Sequence, residues 1–68
     1  MEFVMVRFRE SRTVVIDGND AGPTNETLRV PGGDHTFSLT GLADFIPPEQ
    51  TVKIENTTQV KPQEVNFA

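Results

Sequence analysis

The chain contains no cysteine, no tryptophan and no tyrosine, and it has a single histidine. Without cysteine there are no disulfides and no thiolate metal sites to staple a small fold. That absence fits a reducing cytosol and equally the disulfide-free domains of bacterial envelopes, so the compartment stays unknown. Without Trp and Tyr, the core must come from five Phe together with Val, Ile and Leu. Long apolar runs are missing too. No segment approaches the roughly 20 apolar residues of a membrane helix, which argues against direct membrane insertion. The opening Met1-Glu2-Phe3-Val4-Met5-Val6 lacks a basic first region and is broken at Arg7, so it does not read as a signal peptide. The expectation is a protein that stays where it is made, or a domain of a longer exported chain.

The 68 residues make one domain, residues 1–68, near the lower end of what folds without staples. A core this thin implies stability on the order of 3–5 kcal/mol. Six basic against ten acidic residues give a net charge of −4. Arg7, Arg9 and Arg12 gather near the start, but three arginines in an acidic chain cannot neutralise many phosphates at once. Phe8 alone interleaves with them, so a base-stacking platform is also missing. Nucleic acid is therefore not an expected partner.

Period-two alternation dominates what is present. Thr36-Phe37-Ser38-Leu39-Thr40, Thr51-Val52-Lys53-Ile54-Glu55 and Glu64-Val65-Asn66-Phe67 each place apolar residues on one face of a half-buried strand. Val4, Val6 and Phe8 share a phase opposite Arg7 and Arg9, and Leu28 and Val30 flank Arg29. Val14-Val15-Ile16 is a β-branched run, which predicts a strand buried on both sides. No segment predicts a substantial helix. Asn25 to Leu28 is too short, and a turn over Leu42–Ile46 would stop at Pro47-Pro48.

Turn residues punctuate these strands. Glu10-Ser11-Arg12 links the first two, and Asp17 to Pro23 is dense in residues that tolerate positive φ or preset a turn. Pro31-Gly32-Gly33-Asp34 is a third cluster, in which Pro31 and Gly32 suit the centre of a type II turn, and Glu55-Asn56-Thr57-Thr58 is a weaker one. Asp17 is expected to cap its own turn through its carboxylate. Short strands at spacings of roughly 8–12 residues predict an all-β fold, a small antiparallel sandwich of six or seven strands.

Part of this punctuation is more specific. Val14-Val15-Ile16-Asp17-Gly18, then Gly22-Pro23-Thr24, then Leu28, Val30, Pro31 and Gly32, then His35-Thr36-Phe37-Ser38-Leu39 resembles the PEGA domain family over about residues 12–40. In that family a strand ends in Val-x-Val-Asp-Gly, a Gly-x-Thr-Pro follows, and a Pro-Gly-x-His turn leads into the next strand. The name-giving Pro-Glu-Gly-Ala falls on Arg9-Glu10-Ser11-Arg12, where only Glu10 agrees, and the proline of Gly-x-Thr-Pro stands two places early, at Pro23. The resemblance implies a small β-sandwich serving as an accessory module of bacterial envelope or surface proteins, with no catalytic residues to carry over.

Candidate chemistry is sparse, and no catalytic residue, metal ligand or cofactor is assigned. His35 would need an orienting carboxylate to act as a general base, and its neighbour Asp34 points to the opposite face of the strand. The phase of Phe37 and Leu39 instead makes His35 a partly buried residue at the start of a strand. Ser11, Ser38 and one His do not make a triad. Asp17-Gly18-Asn19-Asp20 has the look of a calcium loop, yet an EF-hand spacing would put Ala21 at position five and Leu28 at position twelve. Asn25-Glu26-Thr27 and Asn56-Thr57-Thr58 match the glycosylation acceptor pattern, which arises readily by chance in a chain this rich in Asn, Ser and Thr.

Leu42-Ala43-Asp44-Phe45-Ile46-Pro47-Pro48 is the longest stretch without strand character. Leu42, Phe45, Ile46, Pro47 and Pro48 form either a plug over the open end of the core or an apolar loop that docks a partner. The expected function is therefore a non-enzymatic protein-interaction or spacer module, working through that loop or an unpaired edge strand. The alternative is an accessory domain that binds a glycan or a cation through the Asp17–Gly22 turn. Lys53 and Glu55 on one strand, and Pro62 near the last, look like edge protection and favour a monomer.

Overall fold

The computed structural model describes all 68 residues, and it contains strands and no helix. The strands are β1 (Glu2–Arg7), β2 (Thr13–Ile16), β3 (Asn19–Pro23), β4 (Thr27–Val30), β5 (Gly33–Leu39), β6 (Gln50–Ile54) and β7 (Gln63–Asn66). They form two sheets, β4-β1-β7 and β3-β2-β5-β6, packed face to face as a small β-sandwich. No helix is long and apolar enough to cross a membrane. The Cα radius of gyration is 10.8 Å, close to the roughly 11 Å expected of a folded chain this long.

Each sheet presents one face to the other because the side-chain period of a strand is two. Val4, Val6 and Phe8 line the inner face of the first sheet, joined by Val30, Val65 and Phe67. Val14, Ile16, Phe37, Leu39 and Ile54 come from the second. All eleven are buried, and Leu28, Phe45 and Val52 pack against them from the rim. Val15 is only half-buried, so the β-branched run is covered on one face and not on both. The reason is that the second sheet has no further layer outside it.

All pairs are antiparallel except one. β1 and β7 run parallel, with Val6 opposite Val65. A parallel neighbour needs a long crossover, and here nearly the whole chain lies between the two strands. The edge strands are β4 and β7 in one sheet and β3 and β6 in the other; Lys53 and Glu55 lie on or beside β6, and Pro62 immediately precedes β7.

The segment from Asp17 to Pro23 is not all turn. Asp17 and Gly18 alone make the turn, both with positive φ (53° and 85°) as a two-residue type I′ hairpin requires. Asn19 to Pro23 then pair with β2 as an edge strand. A bulge at the Val14/Val15 step leaves Ala21 as the extra residue. Local composition concealed this strand because its residues, Asn-Asp-Ala-Gly-Pro, have poor β propensity and gain their order from β2 alone. At the β4–β5 connection it is Gly33 (φ 117°), the first residue of β5, and not Gly32 that takes the positive φ.

Candidate interaction surface

The loop from Thr40 to Glu49 joins β5 to β6 and crosses one open end of the sandwich. Its apolar residues divide into two groups. Phe45 turns inward, where it meets Phe8 (centroids 6.2 Å, 86°) and Phe67 (5.6 Å, 90°) in edge-to-face contacts. Pro47 is half-buried. Leu42 and Ile46 point out, 76% and 73% exposed, and Pro48 is exposed beside them in sequence. Both readings of this stretch thus have residues in place: Phe45 plugs the core, and Leu42 and Ile46 face solvent.

The inner side of the loop is tied down at several points. Ile46 and Ala68 exchange two backbone hydrogen bonds of 2.9 Å, fixing the loop to the end of the chain. The Ser38 hydroxyl donates to the Pro48 carbonyl, and the Thr40 amide donates to the Thr13 carbonyl. The main anchor is Arg12, whose side chain is only 12% exposed. Its Nη1 donates to the carbonyls of Thr40 and Leu42 and to Asp44 Oδ1 (3.0 Å), while Nη2 reaches Glu10 and Asp44 Oδ2. The planar guanidinium suits this role because its five donors are fixed in one fork. Gly41 (φ 88°) lets the loop turn against the Arg12 side chain, about which a Cβ would lie at 3.5 Å.

Arg12 also stacks over the Phe8 ring with Arg9, their Cζ atoms 5.1 and 4.5 Å from its centroid. Arg9 pairs with Asp44 at 2.8 Å, and Arg7 pairs with Glu64. The three arginines are therefore engaged with carboxylates of the same chain. Asp44 is held below its ordinary carboxylate range, chiefly by hydrogen bonds from Arg12, and Arg12 is held further into its charged form by Asp44 and Glu10.

The Asp17–Gly22 turn is arranged differently from its sequence reading. Asp17 does not cap its own turn. Its Oδ1 accepts from the Thr36 amide and its Oδ2 lies 2.6 Å from His35 Nδ1, so the carboxylate ties the β2–β3 turn to β5. Asn19 donates to the Asp17 carbonyl. His35 does lie on the face of Phe37 and Leu39, and Asp34 does point away from it. The orienting carboxylate comes from Asp17, 18 residues earlier. No three His, Asp or Glu side chains gather as metal ligands.

Two anchors gave no signal in the sequence. Thr24, the one buried polar residue, accepts from the Arg12 amide and donates to the Glu10 carbonyl. Asn25, at φ 65°, accepts from the Phe8 amide and donates to the Glu10 carbonyl. Together they hold the β1–β2 link, and with it Arg12, in place. Asn25 thus has a structural use that its acceptor-like tripeptide did not reveal. The chain matches no family model, no curated protein and no solved structure.

Proposed function

We propose that this domain is a non-enzymatic, PEGA-like protein-interaction module that docks a partner protein through the loop carrying Leu42, Ile46 and Pro48. One observation carries the reading: the loop is anchored along its inner side by Arg12, Phe45 and Ala68 while its two large aliphatic side chains face solvent. A loop held in one conformation loses little entropy on binding, which is what a docking surface requires. Apolar side chains exposed on a rigid scaffold supply the burial that drives association. A further feature supports a role without turnover: both ring nitrogens of the single histidine already face oxygen partners within the fold. The glycan or cation alternative draws less support, because both oxygens of the Asp17 carboxylate serve the fold.

Amide-resolved NMR of the labelled protein, titrated with fractionated lysate and envelope extract, tests this directly. Shifts confined to residues 42–48, abolished by the double variant Leu42→Ser/Ile46→Ser with the rest of the spectrum unchanged, are the expected result. Shifts along β3 or β6 would replace the loop with β-augmentation at an edge. Absence of shifts throughout would leave a spacer, and turnover of any substrate by the isolated domain would end the non-enzymatic reading.

A further inference from the structure

His35 stands near the start of β5 with its side chain only 11% exposed and its ring set edge-on to Phe37 at 6.4 Å. Each ring nitrogen faces an oxygen: Nδ1 lies 2.6 Å from Asp17 Oδ2, and Nε2 lies 2.7 Å from the Pro31 carbonyl. An ionised carboxylate and a carbonyl can only accept, and a neutral imidazole has a single N–H to give. In the neutral ring one of these oxygens would face a lone pair at hydrogen-bond distance. Only the imidazolium satisfies both.

We propose that Asp17, His35 and the Pro31 carbonyl form a proton-operated clasp, closed while both His35 ring nitrogens carry hydrogen and loosened when one is lost. The clasp extends the β2–β5 pairing, which ends at Ile16 opposite Phe37, and ties the β2–β3 turn to the β4–β5 connection beyond it. Its surroundings favour the closed form. Asp17 faces the ring from the β2–β3 turn, and Asp34 adds negative charge from β5 itself. β6 places Val52 opposite His35 and Lys53 opposite Asp34, and the β4–β5 connection contributes only the carbonyl. The Asp17 hydrogen bond, then the Pro31 carbonyl, raise the His35 pKa above its ordinary 6.5. The Thr36 amide, then His35, lower that of Asp17 below 3.8.

The sign follows from linkage. A raised histidine pKa gives stability that is fully present below 6.5 and is lost as pH rises through the native value. A lowered aspartate pKa gives stability that is present above 3.8 and is lost as pH falls through the native value. The clasp is thus complete between those two pH values and opens only further out, as pH rises through the native His35 value or falls through the native Asp17 value. Opening on the alkaline side is local, because the Asp17 amide still donates to the Thr36 carbonyl and the Thr36 amide still reaches Asp17 Oδ1.

Ring-nitrogen and amide NMR of the whole chain between pH 5 and 9 tests the clasp. The expected result is protons on both ring nitrogens at pH 6, a His35 midpoint above 6.5, and Gly18 and Asn19 amides that shift with the same midpoint. Asp17→Asn keeps an acceptor for the Thr36 amide and tolerates the positive φ, so it should fold and move the midpoint downward. His35→Gln should abolish the pH response of Gly18 and Asn19. A His35 midpoint at or below 6.5, or amides of the turn that ignore its titration, would overturn the proposal.

Discussion

At the scale of single residues, the side chains that matter most for order are polar and stand at bends. Thr24 is 2% exposed, and its hydroxyl both accepts and donates to the backbone of the β1–β2 link. Thr24→Val keeps the volume and leaves the Arg12 amide and the Glu10 carbonyl without that partner. It should cost about 1–3 kcal/mol, read as a lower urea midpoint with unchanged slope. Gly22 illustrates a different constraint. At φ 145° an added Cβ would sit 2.8 Å from Leu28 Cδ2. The methyl end of Leu28 can move, so backbone strain dominates, and Gly22→Ala should cost about 1–2 kcal/mol in the same measurement.

At the scale of elements, the Thr40–Glu49 loop behaves as part of the core on one side and as free surface on the other. Phe45→Ala removes two edge-to-face aromatic contacts from the open end of the sandwich. A loss of about 2–4 kcal/mol is expected, which brings a domain of this size to the margin of folding at 25 °C. Leu42→Ser/Ile46→Ser should change stability by only about 0.5 kcal/mol, as exposed positions do, so the pair separates plug from docking surface. Element by element, the period-two segments were legible in advance: β1, β4, β5, β6 and β7 fall where Val4, Leu28, Phe37, Ile54 and Val65 alternate with polar neighbours. β3 was not, since Asn19 to Pro23 carry no apolar alternation and are ordered by pairing with β2. For the Leu42–Pro48 stretch the sequence allowed a plug or a docking loop without dividing its residues, and only packing against Phe8 and Phe67 turned Phe45 inward and left Leu42 and Ile46 exposed.

For the whole molecule, the main pH liability lies on the acid side. Glu2, hydrogen-bonded by Thr57, Asp17, hydrogen-bonded by the Thr36 amide and His35, and Asp44, held by Arg12, all titrate below their ordinary values of 4.5, 3.8 and 3.8. Their contribution is present above those values and is lost as pH falls through the lower native ones. The thermal midpoint, followed by far-ultraviolet circular dichroism, should be level near pH 5–6 and drop steeply below about pH 4. A midpoint that stayed level down to pH 2 would show that these bonds contribute nothing. Exposed pairs such as Arg7–Glu64 add little at any pH, because solvent screens them.

Composition and period alone determined that this chain would be a small all-β sandwich built on Phe and β-branched residues, since the alternation of a strand is a local property written every second residue. Tertiary structure decided the rest. The parallel β1–β7 pair, the fork of Arg12 around Asp44, and the meeting of Asp17 with His35 join residues separated by 18 or more positions. Nothing in local spacing encodes such distances. They exist because the buried faces of the two sheets come together in a single register, and that register brings polar side chains at the bends within reach of one another.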